Sequence, residues 1–520
     1  MSVPPRPDRT SRRWSALVGV VAGLVLVAIA ELVSLAFSSS SAPFVAVGGA
    51  FVDIVPRALE ELVIGLFGTW DKLVLNLCMV AVYVLLTALI GRVSARRPLP
   101  AALALAGLGV LAMALVLTRA QNTAADVVPT LLGTAAAVPT LLLLRRSVEA
   151  PAGVREDEAG AAWRRRRALV GAGALGVLAV AAAAGARGIG AGRERARQIA
   201  RYVLPAPRIA ADPIPPGAQV DVEGMPPFLT PNSEFYRIDT ALAVPRVDPS
   251  SWTLRIHGLV EDELEMTFAD LLEEPMVTSH VTLTCVSNPV GGDLAGNATW
   301  LGVPVRTLLE RAGVRDGADM VLSRSIDGFT ASTPLEALTD ARDLLLAVGM
   351  NGHPLPAEHG YPVRMVVPGL YGYVSATKWV TELKVTRFAD DAAYWTTRGW
   401  SARGPIKIAS RIDVPRSFAE LAPDAEGAVM LGGTAWAQQR GIAAVEVRID
   451  DGEWRPAELG AEVSSDTWAQ WSLRWEGAEP GDHTVAVRAT DGTGEVQTDE
   501  RADPVPDGAS GWHTVQFTVT

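Results

Sequence analysis

Five apolar stretches fill most of the first 190 residues, and nothing else in the chain limits its fold as strongly. They run from about Trp14 to Phe37, Leu73 to Ile90, Ala101 to Leu117, Val127 to Leu144 and Ala168 to Ala186. Each is roughly 17–24 residues, enough for a helix rising 1.5 Å per residue to cross a ~30 Å hydrocarbon core. Backbone in lipid has no water to bond, so such segments are committed to helix. The fourth carries Pro129 and Pro139, a kink signal. The stretch Phe44 to Phe67 is also apolar but holds Asp53, Arg57, Glu60 and Glu61, and reads as an interfacial amphipathic segment.

Arginine placement orients these spans. Arg6, Arg9, Arg12 and Arg13 precede the first, and Arg92, Arg96 and Arg97 follow the second. Arg145, Arg146, Arg155 and the run Arg164 to Arg167 follow the fourth. Positive loops stay cytoplasmic, so five spans put everything after Ala186 outside the cell membrane. The string RRRRALVGAGALGVLAVAAAAG reads equally as the cytoplasmic flank of a fifth span or as a twin-arginine export signal. The second reading implies that the following domain crosses already folded.

The charge is divided as well. Residues 1–191 carry 18 basic and 11 acidic side chains, net +7, and residues 192–520 carry 28 and 46, net −18. An acidic second part argues against nucleic-acid binding. The two cysteines, Cys78 and Cys285, exclude a disulfide scaffold and a multi-cysteine zinc or iron–sulfur site. No histidine precedes His257, so the spans hold no bis-histidine haem, and the membrane part reads as an anchor or docking surface.

After the membrane domain (1–190), residues 191–230 form a proline-rich linker. Residues 231–400 mix short strands and helices, the pattern of an α+β domain. WTLRIHGLV alternates as a strand ending at Gly258. TFADLLEEP has Thr267 as helix N-cap, HVTLTCV is a strand, and VPVRTLLERAGV is a helix closed by Gly313. In 405–520 the helices vanish. AVEVRIDDGEWRPAEL is two alternating runs around Asp451-Gly452, a hairpin, and the alternation continues to the C-terminus as a β-sandwich.

Cys285 is the one cysteine of this second part. A lone cysteine is usually a small core hydrophobe. In an oxidising compartment, at a strand end before the glycine-rich VSNPVGG loop, it also suits a nucleophile or a soft metal ligand. His280 lies five residues earlier on the same strand, on the opposite face, so it is no base for a nucleophile. A single thiolate suffices as ligand where a cofactor supplies the other sulfurs.

The strings TLTCVSN, NATWLGVPVRTLLERAGV and MNGHPLPAEHGYPVRMVVPGLYGYVSATKWV occur in the order found in the sulfite oxidase family of molybdenum-cofactor enzymes. GTAWAQQRGIAAVEVRIDDGEWRPAEL resembles that family's C-terminal dimerisation domain, an immunoglobulin-like sandwich. The resemblance covers residues 235–520 and omits the membrane spans. It implies a molybdenum–molybdopterin cofactor, with Cys285 ligating the metal and His359 and Arg364 near the pterin and its phosphate. It further implies Lys378 at the phosphate end and Asn288 and Asp327 in the same pocket. A pterin edge and a phosphate call for such donors. The implied reaction is two-electron or oxygen-atom transfer on a small substrate, with electrons exchanged through a separate carrier and no haem in this chain.

Departures from the family bear on the substrate. An Asn-Arg-Arg string expected after the cysteine reads Asn288, Pro289 and Val290. An Arg-Asn-His string falls where this chain has YRIDTALAVP, and the active-site tyrosine falls on Val348. Sulfite, an oxyanion needing fixed positive donors, is therefore disfavoured unless Arg237 or Arg324 substitutes. Reduction of an S-oxide or N-oxide is the alternative within the fold. A non-catalytic membrane receptor is the alternative of another class, opposed by the presence of Cys285, His359 and Arg364 together.

Overall fold

The computed structural model of the chain describes residues 9–56, 63, 66–67, 70–148, 170–171, 173–174, 185 and 203–520. It divides into two compact units, one of residues 1–197 and 240–246, the other of 198–239 and 247–520.

The first unit is helical: α1 (Arg9–Val33), α2 (Pro43–Ile54), α3 (Asp71–Ser94), α4 (Pro98–Leu117) and α5 (Val128–Val148). Four segments are long and apolar enough to cross a membrane: Arg13–Ala36, Lys72–Ser94, Pro98–Leu117 and Ala124–Arg146. They match the first four expected spans. The expected fifth span at 168–186, with its arginine run, lies almost wholly outside the described residues. Helix α1 packs against α3 and α5. Its approach to α3 is set by two glycines: a methyl group on Gly19 would strike the Thr87 carbonyl, and one on Gly91 the Ser15 carbonyl. On α5, a methyl group on Gly133 would strike the Leu26 carbonyl. Lipid supplies no hydrophobic drive between helices, so small residues that let backbones approach are what holds them. Helix α5 runs through Pro139. Within the segment Phe44–Phe67, read as interfacial, the structure describes the helix Pro43–Ile54, too short to span. Its Pro43, Ala46 and Gly48 are buried, and Asp53 pairs with Arg119 at 2.9 Å. Arg57, Glu60 and Glu61 are outside the described residues.

The second unit begins as an extended strap. Arg208 N–H donates to the Met276 carbonyl (2.7 Å) and Val220 N–H to Gln470 Oε1 (3.0 Å), so the expected linker is fixed rather than loose from residue 203 onward. The α+β part has strands β1 (Thr253–Gly258), β2 (Leu264–Thr267), β3 (Val277–Thr284), β4 (Ala295–Pro304), β5 (Met320–Ser325), β6 (Thr330–Pro334), β7 (Leu345–Met350), β8 (His353–Pro354), β9 (Arg364–Val366) and β10 (Val380–Thr386). One sheet has the order β2-β1-β10-β5-β6, and the other β3-β4-β7-β8 with β9 also on β7. Helices α6 (Phe268–Glu273), α7 (Val305–Ala312), α8 (Glu336–Thr339) and α9 (Gly372–Ser375) lie between strands. Thr267 caps α6 through a reciprocal box with Asp270. Helix α7 buries Val305, Leu308, Leu309 and Ala312, one face at helical spacing, and stops at Gly313 with φ +65°.

The C-terminal part is two packed sheets. Its strands are β11 (Ala409–Val414), β12 (Glu420–Leu421), β13 (Ala428–Trp436), β14 (Ile442–Ile449), β15 (Arg455–Pro456), β16 (Glu458–Leu459), β17 (Ala469–Glu476), β18 (Gly481–Asp491) and β19 (His513–Val519). The sheets run β11-β13-β17-β16 and β12-β19-β18-β14-β15. Between them lies an apolar core including Leu431, Val447, Trp471, Val485 and Phe517. The expected hairpin forms, with Val447 opposite Arg455.

Candidate functional site

Strand β3 ends at Thr284, two residues short of the expected strand, so Cys285 opens the loop to β4. The loop is closed tightly: Cys285 N–H donates to the Leu294 carbonyl (2.9 Å), Asn288 N–H to the Cys285 carbonyl (3.1 Å), and Leu294 N–H to Asn288 Oδ1 (3.0 Å). Cys285 is buried, and burial pushes its thiol up, against the Ser287 hydrogen bonds and the Lys378 charge that lower it. Asn288 therefore acts first as a brace of this loop.

His359, Arg364 and Lys378 converge. The pairing of β9 with β7 sets Arg364 beside Ala347. Gly360, at φ +112°, leaves the space they share: a methyl group there would come within 2.9 Å of Arg364 Cβ and 3.2 Å of Lys378 Cα. Arg364 is 4% exposed, stacks over Trp300 at 4.9 Å and donates from Nη1 to the His359 carbonyl at 3.0 Å. Among the described residues no carboxylate pairs with it, and burial lowers it to about 10. His359 Nε2 meets the Asn232 carbonyl at 3.0 Å; a carbonyl only accepts, so Nε2 carries the proton. Nδ1 is then a bare lone pair, buried and without a hydrogen-bond partner among the described residues. Burial and then Arg364 hold this imidazole down at about 4, neutral at physiological pH.

Lys378 donates to Asp239 Oδ2 and to the Glu358 carbonyl, each at 3.1 Å, and burial draws it down to about 8. Asp327 joins this cluster: its carboxyl accepts from Phe329 N–H (3.2 Å) and is raised by burial, with the nearby Asp239 charge adding to the rise. Of the five expected positions, Asn288 lies in the cysteine loop and the other four lie around Gly360 and Asp239.

Sequence reasoning passed over Tyr236 and Asp239. Phe235 packs edge-on to both Trp300 (5.8 Å) and His359 (5.6 Å), which carries Tyr236 inward. The Tyr236 phenol, raised by burial, senses Cys285 and Arg364 together. The available signal was the aromatic pair just before Arg237. Tyr371 is likewise buried within electrostatic reach of Cys285. Of the two substitute cations, Arg237 is tied to Asp239 at 2.9 Å and Arg324 to Glu382 at 3.0 Å. Val348 is buried in β7, and His280 bonds Thr299 and the Asp212 carbonyl instead of serving Cys285.

Residues 241–395 match the family described as the oxidoreductase molybdopterin binding domain. The chain is 32% identical over 187 residues to the uncharacterized oxidoreductase YuiH of Bacillus subtilis, covering 36% of this chain and 91% of that protein. It is 28% identical over 324 residues to a mitochondrial sulfite oxidase of Drosophila melanogaster and 29% over 323 to a sulfite oxidase of Gallus gallus, covering 52% and 53% of this chain. It spans 56% and 69% of the length of those two relatives. The cysteine loop, the His–Arg–Lys cluster and these likenesses agree, and the chain belongs to the sulfite oxidase family of molybdopterin-dependent oxidoreductases.

Proposed function

We propose that the chain is a membrane-anchored oxidoreductase of the extracytoplasmic side, in which Cys285 ligates molybdenum and Asn288, Asp327, His359, Arg364 and Lys378 surround the pterin and its phosphate. One observation carries this reading. A guanidinium 4% exposed, with no carboxylate partner among the described residues, lies beside an imidazole nitrogen that is buried and unbonded. Leaving such groups unmet costs stability, and an anionic, hydrogen-bonding guest meets both. His359 Nδ1 accepts from a donor edge, while Arg364 and Lys378 face acceptor oxygens. Cys285 offers one soft sulfur at the mouth of a closed loop. The bound group supplies two-electron or oxygen-atom transfer; the chain's own residues hold it, exclude water and fix the charge around it.

The substrate side favours a small, uncharged molecule. Pro289 and Val290 offer no charged donors, Val348 brings no hydroxyl, and Arg237 and Arg324 are already paired. Reduction of an S-oxide or N-oxide is the second reading, favoured by the pairing of Arg237 with Asp239 and of Arg324 with Glu382. Electrons pass through a separate carrier, and the C-terminal sandwich, read as immunoglobulin-like, is the surface for a homodimer. The test is molybdenum and pterin analysis of the purified full chain in detergent, followed by turnover of sulfite, sulfoxides and N-oxides. We expect stoichiometric metal and weak sulfite turnover. Sulfite kcat/KM near about 10⁶ M⁻¹s⁻¹, an ordinary enzymatic value, defeats the substrate reading. A metal-free protein that no reconstitution loads defeats the whole proposal.

A further inference from the structure

The C-terminal sandwich touches the cysteine loop at two points and the strand before it at three. Arg411 on β11, 8% exposed, donates from Nη1 to the Gly292 carbonyl at 3.0 Å, while its Nε pairs with Asp413 at 2.8 Å. The His513 ring rests on Gly291, so closely that any side chain there would strike it; Gly291 also holds φ +76°. His513 Nδ1 accepts the Ile412 N–H at 3.0 Å, which fixes the ring's orientation. On β3, Gln438 Nε2 donates to the Thr282 carbonyl (3.2 Å), Trp468 N–H donates to Thr282 Oγ1 (2.8 Å), and Thr282 N–H donates to the Asp466 carbonyl (3.0 Å).

We propose that the sandwich is a working part of the Cys285 site: Arg411 and His513 are positioning residues that clamp the 285–294 loop and so fix where the sulfur is presented. The proposal rests on the reading of Cys285 as the metal ligand. The loop's ends are already tied to each other by the β3–β4 pairing, but that pairing leaves its middle free to move. Gly292 N–H donates to the Pro289 carbonyl within the loop (2.9 Å), and Gly291 and Gly292, whose backbone has the widest conformational choice, are the two residues the sandwich takes hold of. A ligand sulfur held by its surroundings keeps one geometry, and groups outside the ligand set tune metal sites in this way.

The first measurement needs no cofactor. In full-length protein in detergent with Cys78→Ser, Cys285 is the sole thiol, and being buried it reacts with iodoacetamide only when the loop opens. His513→Ala and Arg411→Met should each raise that rate by about tenfold or more, well below the unfolding temperature. Val447→Ala, in the sandwich core away from the loop, should lower Tm and leave the rate unchanged. Gly291→Ala should raise the rate, and His513→Ala added to it should reverse part of that rise by removing the clash. Rates unchanged in both clamp variants, or rates that follow Tm loss in all variants alike, overturn the clamp. In metal-loaded protein the clamp variants should shift the Mo(V) resonance g-values at unchanged Val447→Ala values. A wild-type protein that binds no molybdenum defeats the metal reading and leaves the thiol experiment to decide the clamp.

Discussion

On the proposed reading Arg364 is costly in the cofactor-free protein and useful in the loaded one, and these two effects have opposite signs in experiment. Its charge sits 4% exposed over Trp300, with backbone carbonyls as its hydrogen-bond partners. Arg364→Met keeps the stem and removes the charge. We expect the cofactor-free variant to unfold at the same temperature as the parent or higher, because an uncompensated buried cation is a penalty. We expect its cofactor to be held more weakly by about 10–100-fold, the equivalent of one charged hydrogen bond at about 1.5–3 kcal/mol. Thermal scans and pterin release after gel filtration check both. A large fall in the melting temperature of the empty variant refutes the reading of Arg364 as a guest-binding charge. Cys285→Ser is the companion experiment. The change is small and the loop keeps its backbone hydrogen bonds, so the variant should fold with near-parental Tm. It should lose the metal and all turnover, as metal analysis on the same sample reports.

At the scale of elements, the readings that succeeded were local ones. Thr267 and Gly313 bracket helices through contacts a few residues away, and the Asp451-Gly452 turn joins its two strands directly. His359, Arg364 and Lys378 were picked out because they share one of the strings that carry the family resemblance. Tyr236 and Asp239 were not, since only the seating of Phe235 against Trp300 turns them inward. The clamp was hidden for the same reason: Arg411 meets Gly292 across 119 residues. The interface between β3 and the sandwich also carries a titrating group. Burial raises Asp466 to about 6, and its side chain accepts from Gln439. In the unfolded chain it ionises near 3.9. Below about pH 4 both states are protonated and nothing is lost. Between about pH 4 and 6 the unfolded carboxyl ionises while the folded one still holds its proton, so stability falls across that window and is level above it. Asp466→Asn keeps the acceptor for Gln439 and removes the charge. It should be more stable than the parent by about 1–3 kcal/mol at pH 8 and equal to it at pH 4. Tm measured across that range decides it, and a destabilised variant at pH 8 contradicts the assignment.

For the whole molecule, the question is which side of the membrane the second unit occupies. Four helices are long and apolar enough to cross a membrane, and four crossings would return the chain to the side on which it began. The segments after α1 and after α4 come together, with Ser38 Oγ donating to Asn122 Oδ1 at 2.6 Å, as two turns on one side must. Arg92 in the last turn of α3 with Arg96 and Arg97 just beyond it, and Arg145 and Arg146 at the end of α5, lie on the side of the N-terminal arginines. The proposed outward placement of residues 203–520 calls for one more crossing, the one the sequence leads us to expect at 168–186. Phosphatase fusions after Val148 should be inactive and those after Gly190 active; the reverse pattern removes the extracytoplasmic placement. The arginine run separates two ways of making that crossing. Positive-inside retention depends on charge alone, so replacing Arg164 to Arg167 with lysines should not disturb it. A twin-arginine signal is read by a receptor and tolerates no such exchange. On the proposed reading the domain crosses folded with its cofactor in place, and we expect the lysine variant to leave it on the cytoplasmic side. Protease protection of the second unit in right-side-out membranes measures this. Lysine-substituted protein that is still digested from outside would assign the crossing to the ordinary insertion route.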